Sequence, residues 1–200
     1  PLVPTKTSKF TGAEDCLYLD IWAPASASVG SNLPTMVYIF GGGFVLGKAD
    51  NSGNNGEALV AAAAAEGKEV VVVEMNYRLG GLGFMAYGPL AAEEGSHGSS
   101  GNYGILDQIA ALKWVNENIV NFGGSTSELM VFGESAGAES VSTLIASPLA
   151  TGLFTSASIM SSGLGMIGNR TQATAQHAGN YCATTNNCAT ATSTDAQQLA

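Results

Sequence analysis

Leu129-Met130-Val131-Phe132-Gly133-Glu134-Ser135-Ala136-Gly137-Ala138 runs from four apolar residues into a Gly-x-Ser-x-Gly pentapeptide, and helix-forming residues follow to about Ala146. The pentapeptide occurs once in the chain. Its place between a short buried strand and a helix is the context a nucleophile elbow requires. The two glycines have a steric reason. The turn is so tight that side chains two residues either side of the serine would collide with the neighbouring strand and helix. Ser135 is then held at the C-terminal edge of a sheet, and the helix that follows adds its first N–H groups and its positive dipole end where an oxyanion would form. Ser135 is the candidate nucleophile.

Outward from this stretch, strand-like and helix-like runs alternate, the pattern of an α/β architecture. Residues 17–22 mix β-branched and aromatic side chains and end at Ala23-Pro24. Residues 36–40 read as a second strand that runs straight into Gly41-Gly42-Gly43-Phe44. A glycine run lets backbone N–H groups approach a substrate carbonyl oxygen with no Cβ in the way. A helix is expected over residues 57–66, stopped by Gly67. Residues 70–75 read as a continuous apolar run, as for a strand covered on both faces of a parallel sheet. Over residues 104–122, Ile105, Ile109, Leu112, Val115 and Ile119 recur at three and four residues, which predicts an amphipathic helix ended by Gly123-Gly124. Residues 156–160 read as another strand, and the Ser/Thr/Ala/Asn-rich tail from about Thr171 as helix plus loop. In a parallel sheet, right-handed crossovers bring strand ends to one edge, so the loop after Phe40 and the turn after Phe132 should meet.

The chain has 200 residues, of which 46% are hydrophobic and 12% charged, with a net charge of −9. One globular unit with a real core fits that size, and residues 1–200 are expected to be part of a single domain. The acidity and the lack of Lys/Arg clusters disfavour nucleic acid and anionic membrane surfaces as partners. The longest apolar runs fall far short of the roughly 20 residues that span a bilayer. The chain opens without Met and closes in a helix-like stretch, so it reads as a piece of a longer protein, with any targeting peptide upstream. Cys182 and Cys188 flank a short polar loop that a disulfide could close, which leaves Cys16 without a partner. Asn169-Arg170-Thr171 is an N-glycosylation sequon. Together these features favour an extracellular, oxidising setting.

Glu14-Asp15-Cys16-Leu17-Tyr18-Leu19-Asp20-Ile21-Trp22 resembles one signature of the type B carboxylesterase/lipase family, and Phe132-Gly133-Glu134-Ser135-Ala136-Gly137-Ala138 resembles the other. Asn76-Tyr77-Arg78, Gly83-Phe84, residues 101–108 and Trp114-Val115-x-Glu117-Asn118-Ile119 fit the same pattern in order. The resemblance implies an α/β-hydrolase fold and hydrolysis of small-molecule or lipid carboxylic esters through an acyl-enzyme. Neither metal nor organic cofactor is implied. By this resemblance Ser135 is the nucleophile, and the N–H groups of Gly42, Gly43 and Ala136 form the oxyanion hole. Arg78 and Asp107 would form a structural ion pair, Glu14 would pair with an upstream Arg, and Cys16 would close the disulfide of an upstream loop.

Two departures stand out. Phe40 occupies a position where the family often has His. The acid and His that complete the triad lie downstream in this family, and the chain ends first, so the 200 residues alone are expected to show no turnover. His97, in a Gly/Ser loop, and His177, in a helix-like stretch, do not fit the base. Trp114 and Tyr77 read as core or supporting residues rather than substrate contacts. The main rival reading is a non-catalytic adhesion relative that keeps the fold, against which the intact Ser135 and glycine motifs argue.

Overall fold

Five short runs, the most apolar of them buried along its whole length, form one sheet in a computed structural model that describes residues 12–50, 55–93, 98–162 and 171–185. The strands are β1 (Leu19–Trp22), β2 (Leu33–Ile39), β3 (Val71–Met75), β4 (Gly124–Glu134) and β5 (Ser156–Met160), in the order β1-β3-β2-β4-β5. β3, β2, β4 and β5 pair in parallel, and β1 runs antiparallel along one edge. The helices are α1 (Gly56–Ala65), the short α2 (Gly80–Phe84) and α3 (Gly88–Ala91), then α4 (Tyr103–Asn118), α5 (Ala136–Ala146) and α6 (Gln172–Thr185).

The register aligns Val37 with Val73 and Val131, and Val73 with Ile21, in one row across the sheet. Side chains alternate along a strand, so this row shares a face. It packs with Ile109, Leu112 and Val115 of α4 and with Val141 and Leu144 of α5 into the main core. Each fully buried aliphatic there contributes roughly 1.5–3 kcal/mol relative to exposure. Across the sheet, α1 lies against β3 and β1. β2 is thus flanked by strands on both sides, and its C-terminal end leads directly into the glycine run.

Three expectations are corrected in detail. The helix predicted to reach Phe122 ends at Asn118, and its last turn tightens to a 3₁₀ turn over Ile119–Phe122 that Gly123 closes at φ 84°. β4 starts at Gly124 rather than at Leu129, because Gly124 pairs with Leu33 and Ser125 N–H donates to Thr35 Oγ1 at 3.0 Å. Strand pairing captured a polar segment whose composition reads as loop. The run over 70–75 is also not continuously apolar: Glu74 stands within β3, 3% exposed.

Glu74 is held by a partner on the edge strand, since Trp22 Nε1–H donates to its Oε2 at 3.0 Å. Burial pushes its carboxyl above the usual range, and the Asp20 carboxylate, its cross-strand neighbour, adds to the rise against the Trp22 bond. A carboxyl raised in the folded state lends stability below its ordinary pKa, and that stability is lost as pH rises through the folded value. Glu74→Gln keeps an acceptor for Trp22 without the buried charge. Its melting temperature should match that of the unmodified protein at acid pH and exceed it increasingly toward neutral pH. Thermal melts from pH 4 to 8 showing a constant gap would contradict this.

Candidate active site

Three constraints build the turn at Ser135. β4 delivers it, α5 begins immediately after it, and its N–H donates to the carbonyl of Met160 in β5 at 3.0 Å. Ser135 takes φ 55° and ψ −120°, a region that costs a non-glycine residue of order 1–3 kcal/mol and is sustained only by surroundings that over-determine it. The flanking glycines are required by space. A Cβ on Gly133 would lie 2.5 Å from the Gly137 carbonyl carbon and 2.8 Å from the Ile39 oxygen. A Cβ on Gly137 would run into that same Ile39 oxygen. The collisions expected from sequence therefore occur, between the first turn of α5, the turn itself and β2.

The glycine run meets this turn. A Cβ on Gly41 would stand 3.1 Å from Ser135 Cβ and 2.6 Å from the Glu134 carbonyl oxygen. Gly42 and Gly43 adopt φ 112° and 64°, and Phe44 follows at φ 62°. This left-handed path turns the chain back, so that the Val45 and Leu46 N–H groups both donate to the Gly42 carbonyl at 3.2 Å. Gly42 and Gly43 lie beyond the last residue of β2, so no ladder bond takes their N–H groups. Ala136 is the first residue of α5, where N–H groups lack intrahelical acceptors. Segments remote in sequence thus meet at Gly41 and the half-buried Ser135.

A cleft of about 240 Å³ lies between the sheet and the start of α1, lined by Asn55, Gly56 and Leu59 on one side and by Tyr38, Val72, Glu74, Phe132, Glu134 and Met160 on the other; neither Ser135 nor the glycine run lines it. Tyr38 and Phe132 line it as a tilted pair with centroids 5.0 Å apart. A larger hollow of about 360 Å³, between α1 and Met36, sits toward the opposite ends of the strands and away from Ser135.

Arg78 and Asp107 are joined as expected. The guanidinium meets the carboxylate through Nε at 2.8 Å and Nη2 at 2.7 Å, and the Arg78 backbone N–H donates to the same carboxylate at 3.0 Å. Arg78 also sits over the Tyr103 ring, 5.2 Å from its centroid. Glu14 is exposed and joins no ion pair among the described residues. Cys16 is a free, half-buried thiol whose pKa burial pushes up. His177 is exposed on α6, whose Gly179 packs against Ala86. His97, Asn169, Cys188 and the side chain of Cys182 lie outside the described residues.

Sequence reasoning placed Tyr77 in a supporting role, and the structure places its ring 2% exposed and stacked on Phe40 at 4.5 Å. Trp114 is not in the core: it is 38% exposed on α4 and tilts against Phe122. Asn76 has no sequence signal of its own beyond its place beside Tyr77 and Arg78. Its carboxamide oxygen accepts from Ala49 N–H at 2.8 Å.

The family model of the carboxylesterases matches residues 2–200. A fumonisin B1 esterase of Sphingopyxis macrogoltabida is 47% identical over 152 residues, covering 76% of this chain and 27% of that protein. A human cocaine esterase is 48% identical over 155 residues, covering 78% of this chain and 25% of that protein. The chain thus spans about a quarter of the length of these relatives. Among solved structures, a carboxylesterase of Geobacillus stearothermophilus superposes with a TM-score of 0.76 at 35% identity, covering 99% of this chain and 41% of that one. A PNB esterase superposes at 0.75 and 37% identity, covering 97% and 40%. The mostly parallel sheet with its flanking helices is that of an α/β-hydrolase, and the chain belongs to the carboxylesterase family.

Proposed function

We propose that this chain carries the nucleophile and oxyanion hole of a carboxylic ester hydrolase. The observation behind this reading is the meeting of two strained segments, the Ser135 turn and the loop from Gly41 to Phe44, at one edge of the sheet. Ser135 Oγ attacks the ester carbonyl, its proton passing to a His on the portion of the protein that follows this chain. The N–H groups of Gly42, Gly43 and Ala136 bind the developing oxyanion, the alcohol leaves, and water hydrolyses the acyl-enzyme. The named substrates of the relatives support an ester substrate.

The test is to incubate the full-length protein with a p-nitrophenyl ester and, separately, with an organophosphate. Turnover with stoichiometric labelling of Ser135 supports the reading; a folded protein that neither turns over nor labels is the adhesion-type scaffold instead. The isolated 200 residues should show no turnover, because the resemblance places the acid and His of the triad downstream, and among the described residues His177 is exposed on α6.

The same reading takes the protein to be secreted. The Cys182/Cys188 spacing and the sequon at Asn169 support this. A non-reducing peptide map with Cys182 and Cys188 both free would remove the disulfide from that support.

A further inference from the structure

The loop from Gly41 to Gly47 has left-handed φ values at Gly42, Gly43, Phe44 and Gly47, and no strand or helix holds it. Inside it, only the Gly42 carbonyl is engaged, by the Val45 and Leu46 N–H groups, and the ends of the loop are held from outside. The connection between β3 and α2, together with the first residue of α2, makes three hydrogen bonds to it and its flanks. Tyr77 Oη–H donates to the Phe40 carbonyl at 2.8 Å, immediately before the glycine run. Gly80 N–H donates to the Phe44 carbonyl at 2.7 Å, immediately after it. The Asn76 carboxamide oxygen accepts from Ala49 N–H at 2.8 Å, where the loop rejoins the body.

Peptide planarity makes these bonds directional. In a trans peptide the carbonyl and the following N–H point opposite ways, so fixing one aims the other; no cis bond occurs among the described residues. With the Phe44 carbonyl taken by Gly80, the Val45 N–H turns inward to the Gly42 carbonyl. With the Gly42 carbonyl so engaged, the Gly43 N–H must face away from the loop's interior. The Tyr77 bond sets the plane that opens the run in the same manner. Phe40 is confined further, stacked on Tyr77 at an interplanar angle of 23° and closed in by Gly47, where a Cβ would lie 2.5 Å from its ring. The connection is itself anchored, because Asp107 accepts from the Arg78 backbone N–H as well as from its guanidinium.

We infer that Tyr77, with Asn76 and Gly80, is a positioning residue that holds the glycine loop so that its N–H groups stand ready for an oxyanion. The inference rests on the reading of Gly42 and Gly43 as oxyanion donors. A preorganised donor acts because it needs no reorientation as charge develops. Loss of the Tyr77 hydroxyl should therefore raise the barrier to reaction more than it weakens substrate binding.

The test uses the full-length protein. Tyr77→Phe removes the bond and keeps the ring stack. The expected result is a kcat roughly tenfold lower on a p-nitrophenyl ester with KM within about twofold. The Ki of a trifluoromethyl ketone, whose Ser135 adduct places an oxyanion among these donors, should rise by the same factor. Amide exchange over residues 41–46 should quicken. Asn76→Ala should act in the same direction more weakly, with Asn76→Asp restoring the acceptor, and it decides the matter should Tyr77→Phe not fold. Unchanged kcat and unchanged trifluoromethyl ketone affinity in these variants, alongside Ser135-dependent turnover of the parent, would overturn the inference alone. A parent protein without Ser135-dependent turnover would overturn the proposed reading, and the inference with it.

Discussion

Ser135→Ala in the full-length protein is expected to lower kcat on a p-nitrophenyl ester by about 10⁴-fold or more while leaving the domain folded. On the proposed reading, the size of the effect follows from the loss of the covalent route: without Oγ no acyl-enzyme would form, and only the proposed oxyanion donors and binding would remain to assist water. The fold should survive for a local reason. Alanine presents the same Cβ to the φ 55° conformation as serine does, so the strain is unchanged. The backbone bond from residue 135 to the Met160 carbonyl persists, and the hydroxyl makes no hydrogen bond among the described residues whose loss would be felt. Circular dichroism melts should agree with the parent within a few degrees. Residual turnover at a tenth of the parent rate would remove Ser135 from the role of nucleophile, and a collapsed melting temperature would show that the serine is structural.

Gly137→Ala is expected to cost the protein about 3 kcal/mol or more of stability and to abolish turnover. The added methyl would fall on the Ile39 carbonyl oxygen, 2.8 Å from the Ile39 carbonyl carbon and 2.9 Å from the Phe40 oxygen. All three atoms are main chain, at the end of the central strand. β2 is paired on one side to β3 and on the other to β4, so it cannot withdraw without breaking ladder bonds. The alternative is for α5 to lift away, which moves Ser135 off the glycine loop. Gly152→Ala is the control. Gly152 has φ 78°, yet no atom lies within 4 Å of the position its Cβ would take. It should therefore cost only the conformational penalty, about 1 kcal/mol. Denaturant unfolding of the two variants separates the steric cost from the conformational one. Equal losses would show that the close approach of α5 to β2 does not limit the fold.

The parts legible in the sequence are those governed by short-range sterics. The Ser135 turn could be read because Gly133 and Gly137 are required within five residues of one another by the geometry of a single bend. α4 could be read because Ile109, Leu112 and Val115 repeat with the period of one helix. The glycine run announced a left-handed path because only glycine enters that region at little cost. Glu74 is legible as a residue, but its burial is not, because the group that tolerates it, Trp22, lies 52 residues away on a strand that becomes its neighbour only when the sheet forms. The polar start of β4 was hidden for a related reason, since a Gly-Ser-Thr-Ser segment becomes strand only when Leu33 and Thr35 present their edge to it. Tyr77 could be assigned to the interior from sequence, but its bond to the Phe40 carbonyl spans 37 residues and depends on β3 lying beside β2. Local sequence determined that this chain has a tight Gly-x-Ser-x-Gly turn and a glycine loop. Their meeting at one edge, and the hydroxyl and carboxamide that hold the loop there, were decided by strand order, because a hydrogen bond between distant residues depends on which strands the folded sheet places side by side.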